Sequence, residues 1–303
     1  MKKALLLLGI INSLYLSSCS TQKSSFKAPL INQEAFSGQN QPMLIGPCSK
    51  SALLREPYRV WYETNYNAYQ VDTTLLKNLK VNPLTDTFLI FMATWCGDSQ
   101  VEVPKFFKIL RYLNIPQANY KIIMVDNSAE RYKQSPNHEE IGNNIFKVPT
   151  FIIQRNGQEI GRIIEHPSES FEKDLIHIIN DGNYTPLYSL QSKVYDFIEN
   201  SENKRQINDL KKFAENYKYQ AKNVSELNAY GYVLLGQKRF KEAIMVFQIN
   251  TFLFPENDNT YDSLGEAYMM AGKKELAILN YEKAVKLNPK ADSSRKVLER
   301  LKG

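Results

Sequence analysis

Phe88-Leu89-Ile90-Phe91-Met92-Ala93 is an unbroken apolar run that leads straight into Trp95-Cys96-Gly97-Asp98-Ser99. Such a run reads as a strand buried on both faces, and burial on both faces requires packed layers above and below the sheet. Beyond it, Val103, Phe106, Phe107 and Leu110 recur at helical spacing on one face, so the loop joins a buried strand to an amphipathic helix. Cys96 then sits at the helix N-terminus. The unsatisfied N–H groups of the first turn point at its sulfur and favour thiolate, the nucleophilic form. This part of the chain is therefore confined to α/β folds.

The stretch resembles the thioredoxin family, and the likeness extends beyond the turn. Pro104 lies eight residues after Cys96, where the family kinks its active-site helix, and Val148-Pro149-Thr150 resembles the family's cis-proline loop. A strand follows at 151–155, then an Asn156-Gly157 hairpin turn and a returning strand at 159–164. A last helix carries Phe171, Leu175, Ile178 and Ile179 on one face. The resemblance implies a thioredoxin-like α/β domain over residues 45–182, a central mixed sheet flanked by helices. It implies Cys96 as nucleophile with Ser99 beside it. Trp95, Gly97, Val148, Pro149 and Thr150 become the substrate-binding surface.

The sequence departs from the family pattern in three places. Ser99 stands where a second, resolving cysteine is usual, and Ile90 stands where many members bury an acid that serves that thiol. Cys96 and Pro149 are 53 positions apart, and the excess falls in the polar stretch 127–146. A thiolate attacking a disulfide forms a mixed disulfide that a second thiol must release. Here that thiol has to come from outside, from the substrate, or from Cys48, the other cysteine of the body. The Ser99 hydroxyl is positioned to hydrogen-bond the Cys96 sulfur, whereas Asp98 brings an opposing negative charge. Cys48 is read either as a partner for Cys96, resolving or oxidation-sensing, or as an incidental buried residue.

Tyr58, Tyr62, Tyr66 and Tyr69, with Trp61, lie at near-helical spacing. They predict an aromatic helix packed on the sheet, or an aromatic wall beside the Cys96 groove. His138, His166 and His177 lack metal-ligand spacing, so neither a metal nor another cofactor is expected.

Met1-Lys2-Lys3 and the apolar residues 4–16 read as an export signal, too short to span a bilayer. Leu16-Ser17-Ser18-Cys19 resembles the bacterial lipobox, with Cys19 as the lipidated residue; an ordinary signal peptide with an incidental cysteine is the other reading. The lipobox reading makes 1–18 a signal peptide and 19–44 a flexible tether rich in Ser, Gln and Asn. It places the protein in the cell envelope, lipid-anchored, at the outer membrane facing the periplasm, since Ser20 is not the Asp of inner-membrane retention. The formal net charge of +6 is spread without a dense Lys/Arg block, which argues against nucleic-acid binding.

A 34-residue period begins after residue 223. Tyr261, Leu264, Gly265, Tyr268, Ala277, Tyr281, Ala284 and Pro289 fall on the tetratricopeptide-repeat pattern. Leu227, Tyr230, Gly231, Leu234, Ala243, Phe247 and Pro255 match one period earlier, where Asn250 replaces the usual small residue. The chain thus divides into a helical connector at 187–222, repeats at 224–257 and 258–291, and a cap helix at 292–303. Repeat stacks of this kind present a surface for a peptide or protein. Two functions follow as expectations: disulfide exchange on exported proteins through Cys96, or a non-catalytic scaffold whose repeats do the binding.

Overall fold

A computed structural model describes residues 31–37, 40–200 and 205–303. The signal segment and Cys19 lie outside the described residues. Among the described residues, no helix is long and apolar enough to cross a membrane.

Among the described residues, six strands form one mixed sheet: β1 (Gln33–Phe36), β2 (Pro42–Cys48), β3 (Asp86–Met92), β4 (Tyr120–Met124), β5 (Thr150–Arg155) and β6 (Gln158–Ile164), in the order β1-β2-β4-β3-β5-β6. Only β3 and β4 run parallel; the other neighbours are antiparallel. The apolar run at 88–93 is the inner strand β3, and alternation along it feeds two cores. Phe88, Ile90 and Met92 face one core, with the helices α1 (Arg59–Ala68), α3 (Gly97–Tyr112) and α4 (Phe171–Ile176). Phe91 and Ala93 face the other, against Ile145, Val148 and Ile152. A short helix α2 (Thr73–Leu76) precedes β3.

This order corrects the expected tether. Residues 33–36 and 42–44 belong to the sheet, so the folded body begins before residue 45. Strand β1 is an edge strand with no fully buried residue, so its burial leaves no apolar periodicity to read.

Pro104 lies inside α3, where it has no N–H to give the Gln100 carbonyl. The Asn65 amide of α1 donates to that carbonyl at 3.2 Å, so the proline leaves no orphan acceptor. At the far end of β3, the fully buried Asp86 accepts from Arg155 at 2.8 and 3.1 Å, from the Asn82 N–H at 3.0 Å and from the Thr85 hydroxyl at 3.1 Å. Burial pushes the Asp86 carboxyl up, but these donors outweigh it and hold it below the usual carboxylate range. Asp86→Ala is expected to cost about 2–4 kcal/mol, towards the low end because Arg155 is partly solvated. Urea unfolding at neutral pH measures it. Because the folded carboxyl is depressed, the pair's contribution holds above the unfolded carboxylate value and fades as pH falls below it.

The C-terminal part is all helical: α5 (Ser189–Glu199), α6 (Ile207–Tyr217), α7 (Ser225–Gly236), α8 (Phe240–Leu253), α9 (Asp258–Met270), α10 (Lys274–Leu287) and α11 (Asp292–Lys302). The α7–α8 and α9–α10 hairpins occupy the spans expected for the two repeats, 224–257 and 258–291. The buried Asn250 donates to the Val224 carbonyl at 3.0 Å and to Asn228 at 2.8 Å, tying α8 to the start of α7. The helices do not hang free: Phe146 and Ile164, on the second face of the sheet, share one core with Leu190, Val194, Tyr230 and Leu234.

Candidate active site around Cys96

Cys96 caps α3 with extended backbone geometry, so its sulfur lies at the helix N-terminus. The thiol donates to the Val148 carbonyl at 3.2 Å. The Val148–Pro149 bond is cis, and the loop that contains it sets Val148 against Cys96. Trp95 is fixed by its indole N–H, which donates to the Val125 carbonyl at 2.9 Å, and its ring lies 6.2 Å from Tyr132. The buried Thr150 hydroxyl donates to the Lys147 carbonyl at 2.7 Å, bracing the cis-proline loop from within. A side chain at Gly97 would meet nothing within 4 Å, so the approach beside the sulfur is open. Of the residues expected at the site, Trp95, Cys96, Gly97, Val148, Pro149 and Thr150 are brought together.

Ser99 is placed differently from the expectation. It is fully buried, and its oxygen accepts from the Ala93 N–H at 3.2 Å, while the Cys96 sulfur bonds to Val148. The serine thus pins the end of β3 to the first turn of α3. Asp98 turns towards His166 at 3.5 Å, and the other ring nitrogen of His166 lies 3.4 Å from Glu102. His166 thus lies between the Asp98 and Glu102 carboxylates.

Cys48 does not meet Cys96. Both thiols are free. Cys48 packs on the α1/α3 core, whereas Cys96 belongs to the opposite one. Cys48 pairs with Ile122 on β4, and β4 separates β2 from β3, so two inter-strand steps alone span ~10 Å, beyond disulfide reach. Burial pushes the Cys48 thiol up to about 12, with a small opposing effect of its bond to Ser49. A thiol raised from 9.0 to about 12 stabilises the fold fully below pH 9 and loses that contribution as pH climbs to about 12. Wild type is therefore expected to lose more stability across that window than Cys48→Ala, by up to roughly 4 kcal/mol. Urea unfolding at stepped alkaline pH gives the difference.

The aromatic helix divides between its two readings. Tyr62 is buried, stacks on Tyr66 at 5.9 Å and meets Phe107 at 6.5 Å, which is core packing. Tyr58, buried in the same core, and Trp61, packed against it, also join Trp95, Thr94 and Gln100 around a groove of ≈ 710 Å³ beside the Cys96 loop. Sequence reasoning missed the charged group on the other flank. Lys147 pairs with Glu165 at 2.8 Å, Glu165 accepts from the Tyr188 hydroxyl at 2.5 Å, and Lys133 is buried nearby. Only the adjacency of Lys147 to Val148-Pro149 hinted at it. Among the described residues, no cluster of three or more His, Cys, Asp or Glu is arranged to hold a metal ion.

Fold and site define a thioredoxin-like domain joined to tetratricopeptide-type helices. The thioredoxin family profile matches residues 54–174, and a tetratricopeptide-repeat profile matches residues 259–291. No curated protein gives a significant match. The pairing supports a redox or scaffold role in general, and the repeat supports protein–protein interaction.

Proposed function

We propose that this protein carries out thiol–disulfide exchange on exported proteins through the single nucleophile Cys96, with the helical repeats holding the partner. The observation that carries this reading is the Cys96 sulfur at the start of α3, 3.2 Å from the carbonyl that precedes the cis proline. The Cys96 thiolate attacks one sulfur of a substrate disulfide; a Cys96–substrate disulfide forms, and the other substrate sulfur leaves as thiolate. A different thiol of the substrate then attacks the substrate sulfur of the mixed disulfide, leaving a rearranged substrate disulfide, or an external thiol attacks it and is itself oxidised; either way Cys96 leaves as thiolate. The Leu16-Ser17-Ser18-Cys19 segment supports anchoring by lipid on Cys19, at the outer membrane facing the periplasm, where protein disulfides persist. Loss of a fatty-acid label in Cys19→Ser tests the anchor.

A scaffold reading draws on Ser99, whose hydroxyl is committed to the backbone, and on the buried apolar Ile90. Acid-quenched cells separate the two. Exchange predicts partner proteins covalently held on Cys96, released by reductant and missing from Cys96→Ala. A scaffold predicts no such adducts.

A further inference from the structure

The segment between β4 and the cis-proline loop buries an ammonium that no carboxylate matches. Lys133 is 7% exposed and sits at a φ of 56°, in the left-handed region that a long side chain rarely adopts. Its Nζ donates to the Phe146 carbonyl at 2.7 Å and lies 5.0 Å from the centre of the Tyr132 ring. Glu165, the acid whose charge reaches Lys133, is paired with Lys147 and accepts from Tyr188, and Asp126, across the same backbone turn, is paired with Arg131. Among the described residues, Lys133 has no carboxylate within ion-pairing distance.

A buried cation without an anion is expensive, so its surroundings favour the appearance of one. The group positioned to become that anion is Cys96. The Phe146 carbonyl that holds Nζ and the Val148 carbonyl that accepts from Sγ lie on the same bent loop, two residues apart, at most about 7 Å along the chain. We propose that Lys133 is a positioning residue for the nucleophile: its buried ammonium favours the thiolate that forms when the Cys96 proton leaves the Val148 carbonyl, the task that neither a second thiol nor a buried acid performs here. The inference rests on the exchange reading for its purpose, although the charge effect on Cys96 is measurable without it. Lys133 stays protonated throughout; the Cys96 proton goes to solvent, and the leaving substrate sulfur takes one back.

The same neighbours act on Lys133 itself. Burial, then the Lys147 charge, pulls it down to about 8, while Glu165 and the Cys96 thiolate push it back up. Burial, then Cys96 and Glu165, also raises Tyr132 above its ordinary value. The support is therefore strongest below about pH 8, where the ammonium persists.

The test uses the full chain with Cys19→Ser and Cys48→Ser, which leaves Cys96 the sole thiol. Iodoacetamide alkylation is followed from pH 5 to 10 in this chain and with Lys133→Met or Lys133→Arg added. Removing the charge is expected to move the Cys96 midpoint up by roughly one unit and slow alkylation at pH 7 several-fold, with arginine restoring most of it. An unchanged midpoint in a Lys133→Met protein with wild-type circular dichroism overturns the proposal. If that variant does not fold, the ammonium is titrated by NMR in the Lys133 chain, with Cys96 free and capped as the methyl disulfide. Capping is expected to lower the Lys133 midpoint, and no change overturns the proposal. Covalent capture of partners is scored separately. Adducts with a midpoint indifferent to Lys133 sink this inference alone, and a shifted midpoint without adducts sinks the exchange reading alone.

Discussion

Under the proposed exchange function, replacing Ser99 with cysteine is expected to turn covalent retention of disulfide partners into their release. Ser99 lies three positions after Cys96 on the first turn of α3, a spacing at which helical side chains are neighbours. A thiol there attacks the Cys96 sulfur of a mixed disulfide, closes a bond within the loop and expels the partner as thiolate, which takes a proton from solvent. Because this attack is intramolecular, trapped adducts are expected to fall by about 10-fold or more, as seen on non-reducing gels. Cys96→Ala is expected to remove them altogether. The gain has a structural cost: the Ala93 N–H exchanges an oxygen acceptor for a weak sulfur, about 1 kcal/mol. Ile90 remains apolar, so no acid helps the new thiol ionise. Undiminished adducts in Ser99→Cys would mean that release is limited by something other than the missing thiol.

The site was legible where local sequence dictates local structure. Residues 88–93 are apolar throughout because both faces of β3 are buried, and the cis-proline loop and the α9–α10 hairpin carry short patterns of their own. What escaped depends on contacts distant in sequence. Polarity makes 127–146 read as a loop, yet Asp126 and Lys133 close a backbone turn there, with the Asp126 N–H on the Gln134 carbonyl and the Lys133 N–H on the Asp126 carbonyl, both at 2.9 Å. The buried Ser135 then bonds both Glu139 and Glu140. That internal network delivers Lys133 to the site, and no periodicity announces it. The separation of Cys48 from Cys96 follows from strand order, which spacing along the chain does not reveal. The docking of Phe146 and Ile164 on α5 and α7 is likewise a tertiary match between two stretches that each look complete alone.

That shared core gives the helical stack a second expected effect, larger than any surface change. A Cβ added at Gly231, inside α7, would lie 2.4, 2.6 and 2.8 Å from three ring atoms of Phe247. Alanine would gain about 1 kcal/mol in helix propensity over glycine. The ring, however, is fully buried and has Tyr232 at 5.4 Å, so it has little room to retreat. Overpacking of this kind costs about 1–3 kcal/mol or more, and three simultaneous overlaps place it at the upper end. Gly231→Ala is therefore expected to destabilise by roughly 2 kcal/mol net, and Gly231→Val by more. Pairing Gly231→Ala with Phe247→Leu should recover part of the loss, because the two positions share one space. The contrast is Gly265→Ala, whose nearest contact with Tyr281 is 3.1 Å and which should cost less. Both tryptophans, Trp61 and Trp95, lie in the thioredoxin-like body, so their fluorescence reports that body while far-ultraviolet circular dichroism is dominated by the helices. Phe146 meets Tyr230 at 6.3 Å, and Tyr132 lies 3.4 Å from where a Gly236 side chain would begin, so damage in α7 should reach the body beside Trp95. The two signals are expected to shift to lower urea together in Gly231→Ala. A fluorescence midpoint that stayed in place while the helical signal moved would show that the stack unfolds independently of the thioredoxin-like domain.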